Sequence, residues 1–352
     1  MPHFWTAFLF FSLLFQSSAT ACTTFSFGNG QDGVVGKSYD WDRDLGAAVV
    51  NKRGMAKRAL IPALPQGEHP AEWVSRFGSI TFVQHGREFP ISGMNEQGLV
   101  VEVMMLPETV YPRPNSAPVI NELQWVQYQL DNRASTTEVV QGLGDVRIMG
   151  HLAKLHYMVC DRALRCATID FLSGTPEIHW GDSLPVATLT NHTYSASLAH
   201  LSHYKGFGGT LEIPLGMHSL ERFVRFSALA REFVTTTSSP VDYAFSALAA
   251  GGYRGHWNLV YEPMNATYHY RTLSNSSVKS FRGAHFDYDC RQPTLWQDMN
   301  SGSGDVTSAF HEYLQAENVQ LVTEGTDGLD GFTPELAAAI AAYPNSTRCT
   351  FH

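Results

Sequence analysis

The order of strands and helices is the feature that most restricts the fold of this chain. Runs with strand character follow one another directly, as in "CTTFSF", "GVVGKSYDW" and residues 78–106, and helical patterns are grouped after them. Regularly alternating strand and helix units, which a doubly wound parallel sheet requires, are few. The sequence therefore predicts a layered α+β fold with largely antiparallel sheets.

Several predicted helices carry recognisable end signals. Ser135 is followed three residues later by Glu138, which is the capping-box pattern of a helix start. Gly251 ends "DYAFSALAAG", and Pro334 stands at the first position of another helical run. Apolar spacing predicts a further helix at about 121–131, and "SLERFVRFSALAREFV" is the longest helical pattern.

Length and charge limit the domain organisation and the class of partner. The chain has 352 residues and a formal net charge of −9, with no block rich in Lys or Arg, which argues against nucleic acid as the main partner. The Ser/Gly-rich stretch at 300–305 is the best candidate for a linker. We predict one domain over 22–300 and a C-terminal helical tail over 301–352 that packs on it.

The first 21 residues have the pattern of a signal peptide. "FWTAFLFFSLLF" is apolar and uncharged, is too short to span a bilayer, and is followed by the A-x-A cleavage pattern Ala19-Thr20-Ala21. The segment lacks the usual Lys or Arg near its start. No later run is long enough for a membrane span, so we predict an exported protein, periplasmic or secreted, that begins at Cys22.

An odd number of cysteines sets one of them apart. The chain contains Cys22, Cys160, Cys166, Cys290 and Cys349, and an unpaired cysteine in an exported protein indicates a thiol with its own role. If Cys22 is that thiol, the other four can pair in three ways. The pairs Cys160–Cys166, across a strand hairpin, and Cys290–Cys349, tying down the tail, are the interpretation we favour.

Three interpretations of Cys22 are open at this point. A cysteine at the start of a mature chain carries both a thiol and an α-amine of pKa about 7.7–8.0, and the amine can act as the base for its own thiol. Lipoprotein processing also leaves an N-terminal cysteine, although Ala19 stands where a lipobox has a bulky aliphatic residue. An ordinary structural thiol is the third interpretation, and the nucleophile is the one we favour.

Two sequence patterns typical of cofactor or metal sites lack the neighbouring elements that such sites require. "GNGQDG", at 28–33, matches the dinucleotide pattern, but a strand-like run follows it where a helix is required. His200 and His203 form an H-x-x-H pair without further metal ligands nearby in the sequence. We predict that the protein uses neither a cofactor nor a metal.

Five motifs occur in an order that resembles a known family. "CTTF", "GKSYDWD", "GMNEQGL", "LTN" and "ERFVR" follow one another from Cys22 to Arg225, and the hairpin pattern to about residue 272 extends the likeness. This order resembles the choloylglycine hydrolase and penicillin V acylase family, which are N-terminal-nucleophile (Ntn) hydrolases. The resemblance implies a four-layer αββα sandwich of two antiparallel sheets.

The resemblance also implies roles for individual residues. Cys22 would be the nucleophile, and Asp40 would orient its amine and thiol. Asn95 and Asn191 would donate amide hydrogens to the oxyanion, and Arg222 would favour the thiolate. Four of them also have a plainer interpretation, namely a turn former for Asn95, a local cap or ion pair for Asp40, a surface residue for Arg222 and a glycosylation sequon, "NHT", for Asn191.

Lys37 marks a departure from the family pattern, because many members have arginine there and lysine lacks the planar fork that binds carboxylates. We place Lys37 last among the site residues, for ligand recognition or charge balance.

The resemblance implies hydrolysis of linear amides, with a small N-acyl amide such as a conjugated bile salt or penicillin V as substrate. Acyl transfer from the same thioester and a lipid-anchored binding protein are the alternatives. Family members often form dimers or tetramers, so a homo-oligomer is compatible with this interpretation.

Overall fold

The computed structural model describes residues 22–41, 43–150, 152–233, 239–251 and 255–351. The predicted signal peptide and its cleavage site lie outside these residues. Cys22 is the first of the described residues.

Two large β-sheets form the centre of the molecule, and two small ones lie beside them. The strands, in chain order, are β1 (Thr23–Phe27), β2 (Val34–Tyr39), β3 (Ala47–Asn51), β4 (Met55–Arg58), β5 (Glu72–Val74), β6 (Ser79–Val83), β7 (Pro90–Asn95), β8 (Val100–Met105), β9 (Val119–Ile120), β10 (Arg147–Ile148), β11 (Leu155–Cys160), β12 (Cys166–Leu172), β13 (Thr175–Trp180), β14 (Thr188–Leu189), β15 (Trp257–Glu262), β16 (Thr267–Thr272), β17 (Lys279–Arg282), β18 (Leu295–Asp298), β19 (Gly304–Asp305), β20 (His311–Glu312) and β21 (Arg348–Cys349).

The helices are α1 (Glu122–Asn132), α2 (Thr136–Gln141), α3 (Tyr194–Leu201), α4 (Ser219–Glu232), α5 (Pro240–Ala250), α6 (Gln315–Thr326) and α7 (Pro334–Ala342). The first large sheet has the strand order β14-β1-β2-β15-β16-β17-β19, and the second has the order β13-β12-β11-β8-β7-β6-β3-β18-β20. Neighbouring strands in both are antiparallel except for β17 and β19. The antiparallel sheets predicted from the sequence are therefore confirmed.

Aromatic side chains fill the space between the two large sheets. Phe82 of the second sheet contacts Tyr261, Tyr268 and Tyr270 of the first, with ring centroids 5.4–6.5 Å apart. Helices α4 and α5 cover the outer face of the first sheet, where Phe226 and Phe245 share a buried cluster with strand residues. Helices α1 and α2 pack on the second sheet. The four layers of the predicted αββα sandwich are thus present.

Burial on both faces explains why several strands are continuously apolar. Strands β1, β3 and β6 are buried at every position, because one face meets the opposite sheet and the other is covered. Alternating patterns are consequently weak in these segments. Strand β13 has exposed and half-buried positions only, as an edge strand does.

The predicted helix starts and ends are largely confirmed. Helix α1 begins after Asn121, whose side chain accepts the backbone N–H groups of Leu123 and Gln124. Ser135 caps α2 through the N–H of Glu138, whereas the Glu138 carboxylate accepts the N–H of Ala134 and not that of Ser135. The capping box is therefore only half formed.

The segment predicted as a linker contributes to a sheet. Gly304 and Asp305 pair with β17, and β20 adds to β18 shortly afterwards. The linker interpretation of 300–305 is therefore wrong, because these residues make ladder hydrogen bonds. Helices α6 and α7 follow and pack against each other.

Both favoured disulfides are confirmed. Cys160 and Cys166 face each other on β11 and β12 and are bonded across the hairpin. Cys290 is bonded to Cys349, which holds the end of the chain on the domain. Cys22 is the free cysteine of the described chain.

Candidate active site

Cys22 lies directly before β1 and lines a cavity. Its side chain is 2 % exposed. Pairing of β1 with β2 sets Thr23 opposite Ser38, so Cys22 lies near the residues that end β2. The backbone N–H of Asp40 donates to the sulfur. Burial raises the pKa of the Cys22 thiol and the Asp40 carboxylate adds to this, whereas the Lys37 ammonium and the Arg222 guanidinium oppose it.

Asp40 is a buried carboxyl group with one oxygen unused. The Ser38 hydroxyl donates to Oδ1 over 2.8 Å, and Oδ2 is buried without a hydrogen-bond partner among the described residues. Burial raises the pKa of Asp40 to about 7, against the Ser38 hydrogen bond and the positive charges of Arg222 and Lys37. A carboxyl group of this kind can bind or release a proton near neutral pH.

Arg222 ties the start of β1 to the loop after β14. It lies in the first turn of α4, and its Nη1 donates to the carbonyl of Cys22 over 2.7 Å and to the hydroxyl of Thr23. Its Nη2 donates to Oδ1 of Asn191 over 2.9 Å. The side chain is 2 % exposed, so the surface interpretation of Arg222 is wrong.

Asn191 is oriented by these contacts. Because Oδ1 faces Arg222, its amide nitrogen points away from the guanidinium, and one amide hydrogen donates to the carbonyl of Met105 over 2.9 Å. The backbone N–H donates to the Ser219 hydroxyl. The second amide hydrogen has no partner among the residues that the structure describes, and a ligand oxygen can accept it.

Lys37 is enclosed by protein groups. Its ammonium lies 3.2 Å from the carboxylate of Glu102 and donates to the carbonyl of Val103 and the sulfur of Met104. Lys37 and Glu102 are both fully buried. This geometry supports charge balance beside Cys22 and leaves Lys37 no access to a ligand carboxylate. Glu102 was missed from the sequence, although a charged residue inside the apolar run "VVEVMM" was an available signal.

Asn95 does not join this group. Its two amide hydrogens donate to the carbonyls of Leu130 (2.9 Å) and Arg133 (2.7 Å), and its Oδ1 accepts the N–H groups of Gln97 and Leu99. No amide hydrogen is left for an oxyanion, so the geometry contradicts the predicted donor role of Asn95. The turn-former interpretation describes it correctly.

A buried His–Asp pair supports the loop that carries Asn191. The ring of His156 contacts Oδ1 of Asp170 (2.8 Å) and the carbonyl of Thr190 (2.7 Å). The other oxygen of Asp170 accepts the N–H of Tyr194, the first residue of α3. Both side chains of the pair are fully buried. The sequence analysis missed them, although each lies in an apolar strand run where a polar residue is unusual.

The cavity beside Cys22 has a volume of about 420 Å³ and a mostly apolar lining. Trp41 and Phe332 contribute aromatic rings, and His85 and Asp330 are polar. The loop between α6 and α7 therefore forms part of the wall, which the sequence analysis did not foresee. The apolar side chains of the lining are Ile91, Val103, Met104, Met105, Leu123, Leu152, Ala153, Leu155 and Leu329.

Two further properties of the described residues are the grouping of possible metal ligands and the length of the apolar helices. Within the described ranges, no three side chains of His, Cys, Asp or Glu form a group that could hold a metal ion. His200 and His203 lie near the end of α3, with ring centroids 6.5 Å apart. None of the helices in the described part of the chain is both long enough and apolar enough to cross a membrane.

Comparison with known proteins places the site in a family context. Residues 22–225 match the model of linear amide C–N hydrolases, choloylglycine hydrolase family. Penicillin V acylase from Pectobacterium atrosepticum is 26 % identical over 226 residues, and the match spans 59 % of this chain and 59 % of that relative.

Two solved structures share the fold. Penicillin V acylase from Agrobacterium tumefaciens has a TM-score of 0.73 at 23 % identity, covering 83 % of this chain and 98 % of its own. A mutant of conjugated bile acid hydrolase from Clostridium perfringens has a TM-score of 0.63 at 13 % identity, covering 81 % and 98 %. At these identities the likeness concerns the fold.

Proposed function

The chain belongs to the choloylglycine hydrolase family of linear amide C–N hydrolases, and from this premise we propose that it hydrolyses small N-acyl amides with Cys22 as nucleophile. The observation that carries the proposal is the free thiol of Cys22 at a largely apolar cavity. Asp40 and Asn191 lie near it, each with a polar atom that has no partner among the described residues, and Arg222 holds the carbonyl of Cys22 and the side chain of Asn191 in place.

Removal of residues 1–21 is the activating step in this proposal. Cleavage of the Ala21–Cys22 bond frees an α-amine of pKa about 7.7–8.0, which can accept the thiol proton. The unused Oδ2 of Asp40 is a suitable acceptor for that amine. The positive charges of Lys37 and Arg222 offset the cost of forming a thiolate in a buried position.

The reaction then proceeds through a thioester. The sulfur of Cys22 attacks the amide carbon, and the carbonyl electron pair moves onto oxygen, where the free N–H of Asn191 can stabilise it. When the tetrahedral intermediate collapses, the C–N bond breaks and the α-ammonium of Cys22 gives its proton to the leaving amine. Water, deprotonated by the same amine, attacks the thioester and releases the carboxylic acid and the thiol.

The acyl side of the substrate is proposed to occupy the apolar cavity. A volume of about 420 Å³ lies within the range of small-molecule sites, and its lining suits an aliphatic or aromatic acyl group. The names of the similar proteins, penicillin V acylase and conjugated bile acid hydrolase, make phenoxyacetyl and steroid acyl amides the first compounds to assay.

Export is a further part of the proposal. The apolar segment ahead of Cys22 motivates it, and the two disulfides support it because such bonds persist in oxidising compartments. A periplasmic or secreted location accounts for both features.

The test combines intact mass with amide hydrolysis. We expect the exported protein to have the mass of a chain that begins at unmodified Cys22 and to cleave at least one of penicillin V, a conjugated bile salt or a fatty acyl anilide. The same protein with Ala21 retained should be inactive, because its amine is blocked. Full activity with Ala21 retained, or a diacylglyceryl mass on Cys22, would contradict the proposal.

A further inference from the structure

His85 is a buried polar side chain in the apolar wall of the cavity. It is 6 % exposed and lies beside two aromatic rings, with its own ring 6.4 Å from that of Trp41 and 5.7 Å from that of Phe332. Its Nδ1 is buried and has no hydrogen-bond partner in the described part of the chain. The proposed mechanism does not use this residue.

The imidazole is neutral and offers a hydrogen-bond acceptor. Burial lowers the pKa of His85 to about 4, although the carbonyl of Gly325 acts in the opposite direction. A neutral imidazole has one N–H donor and one acceptor nitrogen, and a carbonyl can only accept. Gly325 therefore favours the N–H on its side, and the acceptor nitrogen remains without a protein partner.

The surroundings of His85 indicate what could satisfy that nitrogen. The loop between α6 and α7 contributes one ionisable side chain to the described cavity lining, the exposed carboxylate of Asp330. This carboxylate is itself an acceptor and cannot donate to His85. Trp41 and Phe332 both contact the ring and provide apolar surface. A ligand that occupies this part of the cavity lies near an acceptor nitrogen and two aromatic side chains.

We propose that the cavity selects acyl groups that carry a hydrogen-bond donor, a hydroxyl or an amide N–H, which binds the free nitrogen of His85 beside Trp41 and Phe332. This inference rests on the proposed amidase function and specifies its substrate class. His85 acts as a specificity-determining residue and takes no part in the chemistry at Cys22. Phe332 places the C-terminal loop in the same recognition site.

Matched substrates test the inference. We would measure kcat/KM of the mature protein for octanoyl p-nitroanilide and for its positional hydroxyoctanoyl isomers. At least one hydroxylated isomer should be preferred over the parent by about 3- to 10-fold, as expected for one net hydrogen bond between neutral groups. His85→Phe should abolish this preference, whereas His85→Gln, which retains an acceptor oxygen, should keep part of it.

His203→Phe is the matched control, because His203 does not line the cavity and the variant should leave the preference unchanged. Should His85→Phe fail to fold, inhibition of the wild type by octanoate and by the hydroxyoctanoates gives a second measurement, and the preferred isomer should inhibit more strongly. Equal inhibition constants, or an unchanged preference in His85→Phe, would overturn the inference. Failure of the proposed function would look different, because the wild type would then cleave none of the amides.

Discussion

Two buried carboxylates, Asp131 beside Lys57 and Asp40 beside Cys22, differ in how many of their oxygens accept hydrogen bonds. Asp131 accepts hydrogen bonds on both oxygens, from Trp73 and Gln127, and its Oδ2 also lies 2.9 Å from the ammonium of Lys57. Asp40 accepts a hydrogen bond from Ser38 on one oxygen only, and its other oxygen is buried without one. Cys22, to whose sulfur the backbone N–H of Asp40 donates, lines the cavity, whereas none of Lys57, Glu88 and Asp131 does.

The difference separates a structural role from a chemical one. A buried carboxylate with partners on both oxygens holds distant segments together, and Asp131 of α1 does this with Lys57 of β4. A buried polar atom without a partner costs stability, and such atoms concentrate where a ligand or a reacting group completes the set. The comparison therefore assigns stability to Lys57 and its neighbours and supports the reactivity proposed for Cys22 and its neighbours.

Cys22→Ala should produce the largest change. It removes the proposed nucleophile, and we expect amide hydrolysis to fall by at least about 10³-fold, while the free energy of unfolding changes little. Activity is measured on the mature protein and stability by urea denaturation. Retained hydrolysis in Cys22→Ala would break the comparison, because the reactive group would then lie elsewhere.

Lys57→Met should give the opposite result. It leaves the carboxylates of Glu88 and Asp131 buried without their shared cation, which costs about 3–5 kcal/mol of the free energy of unfolding. The kcat of the folded fraction should be unchanged. Lys205→Met is the control, because its ion pair with Glu212 is exposed and contributes at most about 1 kcal/mol. A large loss of kcat without a loss of stability in Lys57→Met would contradict the assignment.

The two asparagines predicted for the same role sharpen the comparison further. Asn191→Ala should lower kcat by about 10²–10³-fold, the effect of losing one oxyanion donor, with a smaller loss of stability than in Asn95→Ala, because only Met105 and Arg222 lose a hydrogen bond to its side chain. Asn95→Ala should instead lower the free energy of unfolding by about 1–3 kcal/mol, because two carbonyls and two N–H groups lose their partner. Steady-state kinetics and denaturation of both variants measure these two effects. A large loss of kcat in Asn95→Ala, with only a loss of stability in Asn191→Ala, would restore the oxyanion role predicted for Asn95.

Asp40 should reveal itself in the pH dependence of stability rather than at a single pH. With Ala21 retained, its folded pKa is about 7 against an ordinary value of 3.8, so the folded state binds more protons between these values. Stability from this group is therefore present at low pH and is lost as pH rises from about 4 to about 7, by up to about 1.4 kcal/mol per pH unit.

The control for this slope is Asp40→Asn, which should lack it. In the mature protein the slope should also be smaller, because a nearby α-ammonium lowers the pKa of a carboxyl group. Denaturation of the three proteins across this pH range checks both points. Identical slopes with and without Ala21 would show that Asp40 does not face the amine.

Local signals determined much of the fold correctly. Asn121, Ser135 and Gly251 mark helix ends through hydrogen bonds to backbone groups a few residues away, so the sequence contains all the information these caps require. The antiparallel sheets follow from strands that succeed one another without intervening helices. The hairpin disulfide Cys160–Cys166 follows from the same short-range logic.

The predicted grouping of the site residues in space is found in part, whereas their catalytic roles stay predictions. Ordered motifs placed Cys22, Asp40, Asn191 and Arg222 together, and the structure brings these four side chains around one point. The pattern that selected Asn95 was equally clear. It failed because the pattern carries no information on whether the amide hydrogens are already used, and the carbonyls that use them lie 35 and 38 residues further along the chain.

The sequence by itself determined the layered sheets, the free cysteine and most of the residues around it. Only the tertiary structure decided that Lys37 is paired with Glu102, that the loop between α6 and α7 closes the cavity, and that His85 retains a free nitrogen there. The physical reason is that a polar atom is satisfied or left free by groups remote in the chain, and their approach is set by packing of the whole fold.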